Sequence, residues 1–101
     1  MQAYGQGDDD DRFVKACEEG DLETARRLVT PQRVSRADSI GSQPLHWACD
    51  NGHLEVARWL HAEGAAIDAT TNYGETPLWL AQSGGHTAVV DWLQVRTPHF
   101  Q

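Results

Sequence analysis

The chain is predicted to be all-α, a solenoid of three helix-turn-helix repeats joined by short β-hairpin-like finger loops. Two observations predict this. The segment Gly41-Ser42-Gln43-Pro44-Leu45-His46-Trp47-Ala48 returns 33 residues later as Gly74-Glu75-Thr76-Pro77-Leu78-Trp79-Leu80-Ala81. The register then holds through Gly52-His53 and Gly85-His86, Val56 and Val89, Trp59 and Trp92, and Leu60 and Leu93. Self-similarity at such a period marks stacked units that bury their apolar faces against one another. Shifting the frame to 32 reveals an upstream copy, in which Phe13 falls on Leu45, Ala16 on Ala48, Cys17 on Cys49, Gly20 on Gly52, Leu22 on Leu54, Ala25 on Ala57 and Leu28 on Leu60.

The elements follow in order. In the first copy Asp11 to Glu19 and Leu22 to Val29 read as inner and outer helices. Asp8 to Arg12 replace any Pro-Leu opening there, as expected of a capping repeat whose outer face meets water. The connection from Pro31 to Asp38 is short and reads as a distorted hairpin. In the second copy Pro44 suits the first helical turn, because its missing N–H costs nothing there. Leu45, Ala48 and Cys49 then follow at helical spacing, predicting a helix over about 44–51 that Gly52 ends. Leu54 to Ala62 form the next helix, stopped by Gly64. The third copy predicts helices over Pro77 to Gly84 and Thr87 to about Val95. Small residues Ala16, Ala48 and Ala81 recur on the inner helices and allow close approach. Residues 64–70 and 72–74 read as an extended excursion ending in a turn.

Taken as domains, residues 1–9 are expected to be a flexible acidic extension, 10–96 the repeat domain (about 10–37, 38–70 and 71–96), and 97–101 a tail. With 101 residues there is one domain and little room for a deep active site. The 15 acidic residues against 8 Lys plus Arg give a net charge of -7, which favours a basic or neutral partner and disfavours nucleic acid. The run Asp8 to Asp11 is expected to be solvated. The apolar runs are too short for a membrane span, and Met1 to Gly7 lack the features of a secretory signal. An intracellular location, cytoplasmic or nuclear, is therefore expected. Cys17 and Cys49 occupy the same place in adjacent repeats, roughly 10 Å apart and too far for a disulfide, so both are read as buried free thiols.

The 33-residue period, the Pro-Leu starts and the Gly-His pairs resemble the ankyrin repeat, whose signature reads T-P-L-H-x-A. The resemblance implies a partner-binding scaffold with a concave face made by fingers and inner helices. It implies that His53 and His86 are structural, their imidazoles bridging backbone groups of neighbouring repeats. It also implies a hydrogen-bonded Thr and His in each turn, a pair this chain splits: Gln43 with His46 in one repeat, Thr76 with Trp79 in the next. Losing one bond of about 1 kcal/mol would loosen both turns.

On that frame the partner-binding positions are Ser39, Ile40, Ser42, Asp50, Asn51, Asn72, Tyr73, Glu75 and Ser83, with Glu18 and Glu19 continuing the line. Ile40 and Tyr73 are the apolar anchors. His46, Cys49 and His53 lie within eight residues, but their places on turn, helix interior and next helix keep them from converging on a metal. No nucleophile stands beside a base, so neither catalysis nor a cofactor is expected. Trp47 and Trp59 are expected to pack between repeats, and Trp79 against the finger bases. The last repeat, with Ala88, Val89, Trp92 and Leu93, is apolar for a cap. Continuation of the array, cover from Phe100 in the tail, or self-association of an otherwise monomeric chain would each account for it. The leading reading is a non-catalytic protein-interaction module. The alternatives are a regulatory or targeting fragment of a larger protein or enzyme, and a small-molecule sensor built on Trp47, Tyr73 and Trp79.

Overall fold

A computed structural model describes residues 6–96, with side chains from Asp9 onward, and every regular element in that span is a helix. In chain order these are α1 (Gln6–Glu19), α2 (Leu22–Leu28), α3 (Pro31–Ser35), α4 (Pro44–Asp50), α5 (Leu54–Ala62), α6 (Pro77–Ser83) and α7 (Thr87–Arg96). An inner layer forms where α1 packs on α4 and α4 on α6. The outer helices α2, α5 and α7 each lie against their own inner partner.

Local chemistry sets the helix starts. Pro44 and Pro77 open α4 and α6. At α6, Thr76 Oγ1 accepts from Trp79 N at 3.0 Å. At α4 the turn closes the other way, with Gln43 N donating to His46 Nδ1 at 2.9 Å. That leaves the imidazole proton on Nε2, which donates to the Ala69 carbonyl at 2.9 Å and ties helix to finger. Each turn thus keeps one bond of the divided Thr/His pair. At α2, Asp21 accepts from Thr24 N at 3.1 Å, and its bonds to Thr24 hold the carboxyl below its ordinary value.

Two segments differ from expectation, for one connected reason. The Pro31 to Asp38 connection is not simply a distorted hairpin but contains α3, started by the same Thr-Pro device as α6. Thr30 Oγ1 accepts from Arg33 N at 3.1 Å, and Pro31 sits in the first turn. The acidic run is helical, with Asp11 exposed as expected and Asp10 largely covered. α1 begins at Gln6, so Asp8 to Asp11 lie in its first turns, near the positive end of the helix dipole. Asp10 then bridges the two segments. It accepts from Arg33 Nε at 2.7 Å and lies 2.9 Å from Arg36 Nη1, while Arg33 Nη1 also donates to the Leu28 carbonyl at 2.8 Å. Asp9 pairs with Arg12 at 3.1 Å.

The core runs between the layers through Phe13, Leu45, Val56, Leu60, Val89 and Leu93, with Ala16, Ala48 and Ala81 allowing the inner helices to approach. Trp59 is only partly buried, its ring 6.3 Å from that of Phe13. Trp92 is covered edge-on by His61 at 5.7 Å and by the Arg96 guanidinium at 4.8 Å. The proposed lid, Phe100, and the tail at 97–101 lie outside the described residues. Cys17 and Cys49 are buried and unpaired.

Neighbouring repeats approach closely at the turn linking inner and outer helices. Gly52 adopts φ 77, and a Cβ there would come 2.5 Å from His86 Nδ1. Gly20, at φ 80, stands in the same relation to His53, at 2.6 Å. His86 Nε2 donates across the interface to the Asp50 carbonyl at 2.9 Å.

Gly52→Ala should therefore destabilise beyond the cost of about 1 to 2 kcal/mol for a left-handed non-glycine residue, because the methyl also displaces His86. Gly85→Ala, at φ 72 with open space around it among the described residues, should show the backbone cost alone. Equal urea midpoints for the two variants would contradict the stacking argument. A second expectation concerns alkaline pH. Desolvation pushes both thiols up to about 12 from 9.0, with the Asp50 charge adding to the effect at Cys49. The folded state thus keeps protons that the unfolded chain releases, so this stability is full below about pH 9 and is lost as pH rises toward about 12. In urea titrations over that range, Cys17→Ala/Cys49→Ala should decline less steeply than the parent.

Candidate partner-binding face

The fingers are built by matched turns. In the first, Asp38 N donates to the Ser42 carbonyl at 2.9 Å, while Asp38 Oδ1 accepts from Ile40 N at 3.1 Å and Ser42 N at 2.9 Å. In the second, Thr71 N donates to the Glu75 carbonyl at 3.0 Å, and Thr71 Oγ1 accepts from Tyr73 N at 3.1 Å and Glu75 N at 3.3 Å. A carboxylate and a hydroxyl thereby perform the same local task, as side chains of Asp and Thr commonly do at turns. Thr71 Oγ1 also donates to Glu75 Oε1 at 3.1 Å.

The two fingers are tied together. Asn72 N donates to the Ile40 carbonyl at 2.9 Å, and Asn72 Nδ2 to the Ser39 carbonyl at 3.2 Å. Gly41 makes room for this contact, since a Cβ there would lie 2.6 Å from Asn72 Oδ1. The tie holds the two tips side by side, with Ile40 37% and Tyr73 72% exposed.

Below the fingers lie two adjoining depressions. One, of about 690 Å³, runs between α1, α4 and the first finger and is lined by Asp11, Lys15, Glu18, Arg36 and Ser39 among others. The other, of about 190 Å³, lies between α4, α6 and the second finger and is lined by Ile40, His46, Asp50, Glu75 and Leu80. Ser42 and Trp47 line both. Lys15 pairs with Glu19 at 3.4 Å and Arg36 with Asp10 at 2.9 Å, a carboxylate it shares with Arg33, so the lining holds these two cations against Asp10, Asp11, Glu18, Asp38, Asp50 and Glu75. Asp11, Glu18 and Asp50 form no ion pair among the described residues, so the face is acidic.

Of the sequence-predicted positions, Ser39, Ile40, Ser42, Asp50 and Glu75 gather around Trp47 in these depressions. Asn51, Asn72, Tyr73 and Ser83 are exposed but line neither. Ser42 is buried and serves the first turn, and Asn51 Nδ2 donates to the Trp47 carbonyl at 2.9 Å. Glu18 lines the larger depression, whereas Glu19 turns away to Lys15. Trp47, expected between repeats, lines both of these inter-repeat depressions and is partly exposed, with its buried Nε1 making no hydrogen bond among the described residues. The signal was present: Trp47 lies one turn before Asp50 on the same helix face, and Leu80 repeats it 33 residues later. Trp79 is 52% exposed. Both His46 ring nitrogens are engaged and Cys49 is buried. Among the described residues no three His, Cys, Asp or Glu side chains gather as a metal site.

The sequence model describing ankyrin repeats in three copies matches residues 13–98. The chain belongs to the ankyrin-repeat family. Ankyrin repeats are protein-interaction modules, and the fold by itself is not catalytic. Among its relatives is a palmitoyltransferase of Candida glabrata, 40% identical over 67 residues, a match covering 60% of this chain and 9% of that protein. A probable E3 ubiquitin-protein ligase of Oryza sativa subsp. japonica is 33% identical over 77 residues, covering 73% of this chain and 16% of the ligase. An ankyrin repeat and SAM domain-containing protein of Rattus norvegicus is 29% identical over 90 residues, covering 61% of this chain and 10% of that protein. The chain thus spans a small part of each relative. No helix among the described residues is long and apolar enough to cross a membrane.

Asp38→Ala should remove both side-chain bonds of the first finger, at about 0.5 to 1.5 kcal/mol each. Hydrogen exchange at the Ile40 and Ser42 amides is the direct measurement. Unchanged protection at both would show that the backbone holds the turn unaided.

Proposed function

We propose that the array recognises a partner protein through its concave face, taking a loop or extended segment of basic or neutral character. The observation that carries this reading is the pair of tied finger tips, Ile40 and Tyr73, standing beside a groove whose Asp11, Glu18 and Asp50 carboxylates form no ion pair among the described residues. Apolar tips supply anchors that lose water on binding, and the carboxylates favour a positive partner over a negative one. Ser39, Ser42 and Glu75 would add polar contacts around them, with Asn51, Asn72 and Ser83 at the rim. Holding the fingers in place before the partner arrives reduces the ordering cost of association. The role is binding without chemistry, by an intracellular chain.

A second reading is favoured by the comparisons. The matched relatives include a palmitoyltransferase and a probable ubiquitin ligase, of which the matching segments form 9% and 16%. In this reading the array positions or targets a larger protein whose chemistry lies elsewhere.

Affinity capture of partners, followed by titration of the recovered protein, tests the concave face. Ile40→Ala/Tyr73→Ala should weaken binding about tenfold or more, and raising the salt concentration should weaken it further for a basic partner. Undiminished binding by the double variant would place recognition elsewhere on the array.

A further inference from the structure

We propose that Thr30 is a phosphorylation site for a proline-directed kinase, and that Arg36 leaves Asp10 to hold the phosphate. The chain has three Thr-Pro pairs, Thr30-Pro31-Gln32-Arg33, Thr76-Pro77-Leu78-Trp79 and Thr97-Pro98-His99-Phe100. Kinases of this class select an acceptor hydroxyl followed by a residue with no backbone N–H, and those with an acidic substrate pocket add a cation three residues on. Only the first pair has Lys or Arg at that place, Arg33.

The surroundings also separate Thr30 from Thr76. Pro31 and Gln32 are exposed, whereas Pro77 is buried. The chain is extended through Val29 (φ -64, ψ 137) and Thr30 (φ -139, ψ 158), the form in which a kinase cleft takes its substrate. Beyond Thr30, α3 has 5 residues and buries only Val34, while α6 buries both Pro77 and Ala81. Opening α3 to present the motif therefore costs less than opening α6. Thr30 Oγ1 accepts from Arg33 N at 3.1 Å, and among the described residues its own hydrogen has no acceptor. In the transfer, Oγ1 attacks the γ-phosphorus of a magnesium-bound nucleoside triphosphate. The bond from that phosphorus to the β–γ bridging oxygen breaks, the diphosphate leaves with the electron pair, and the hydroxyl proton passes to the kinase's base.

The phosphate would arrive among cations. Thr30, Arg33, Arg36 and Asp10 line one depression of about 610 Å³. Arg33 is held by Asp10 through Nε and by the Leu28 carbonyl through Nη1, which leaves its Nη2 hydrogens unused among the described residues. Arg36 Nη1 lies 2.9 Å from Asp10, yet the Arg36 side chain is 60% exposed. An exposed pair holds weakly, and a phosphate carries a charge of about -1.5 to -2 where a carboxylate carries a single one. Arg36 therefore exchanges Asp10 for the phosphate, while the covered Arg33 keeps α3 on α1. Arg36 also lines the larger concave depression. Its withdrawal makes that groove more acidic and more favourable to a basic partner, a consequence that rests on the proposed function of the concave face.

The test uses the whole chain, a proline-directed kinase and magnesium ATP, with the phosphate located by peptide mass mapping. Thr30 should fill about tenfold faster than Thr76, and Thr30→Ala should lose that phosphate. A folded chain left unmodified at Thr30 under conditions that modify a peptide of residues 26–36 would overturn the site, and an unmodified peptide would overturn the motif. The exchange is read by phosphorus NMR. The Thr30 phosphate should titrate about half a pH unit or more lower in the folded chain than in the same phosphoprotein unfolded in urea, because the two guanidiniums outweigh Asp10 in favouring its dianion. Arg36→Ala, at an exposed position, should remove at least about half of that shift. Absence of a shift, or one that Arg36→Ala leaves unchanged, contradicts the exchange. Both readouts are taken without a partner, so this inference and the proposed binding function can fail separately.

Discussion

Where the chain leaves α4 it passes through Gly52 with φ 77, and the volume a side chain would have taken is filled by His86 of the following repeat. The other interface features depend on this approach. If the turn were wider, His86 Nε2 would not reach the Asp50 carbonyl, and the finger contacts at Gly41 would open with it. Close approach also explains why Ala48 and Ala81 face their neighbours with no exposed surface. Larger side chains there would overpack a spacing already fixed by glycine and imidazole.

The fingers inherit this spacing but close their turns with different chemistry. His46 uses one ring nitrogen within its own turn and the other on Ala69, so a single buried side chain couples a helix start to the finger beyond it. Thr76 performs only the first task. Trp79 therefore stands where the coupling residue would be, uncovered, and the third repeat holds its turn without reaching forward. Asp38 and Thr71 show the same economy in the turns themselves, where unlike side chains satisfy equivalent backbone donors.

Much of the fold was legible because stacking requires repetition: the 33-residue echo located α4 to α7 within a residue at each end. The period was silent where the first repeat departs from it. α3 has no counterpart in the other two repeats, yet Thr30-Pro31 carried the same start signal as Thr76-Pro77 and could have been read locally. The helical character of Asp8 to Asp11 was hidden because charge alone suggests solvation, and the partners that order Asp10, Arg33 and Arg36, lie over twenty residues away. On the concave face, exposure of Ile40 and Tyr73 followed from their places at turn tips. The burial of Ser42 and the position of Trp47 between two depressions depend on how fingers lean over α4, which no spacing encodes.

Among the described residues the outer sides of the first and third repeats are closed unequally, and this affects their local opening. At the first repeat, α1 extends to Gln6, Asp21 replaces the bridging histidine, and Asp10 fastens α1 to the added helix α3. At the third, Trp79 and Tyr73 are exposed, and among the described residues nothing lies within 4 Å of where a Cβ on Gly85 would stand. In a solenoid, stability is approximately a sum of the repeats and their nearest-neighbour interfaces. Among the described residues the third repeat meets one neighbour, so within this span it is the unit whose local opening costs least. The second finger belongs to that region, since Thr71 and Glu75 lead directly into α6. Its tie to the first finger through Asn72 adds to the His86 contact and the α4–α6 packing that join the third repeat to the second. Any ligand lying across both fingers would bind the ordered array in preference to the opened one, and would stabilise the third repeat by mass action.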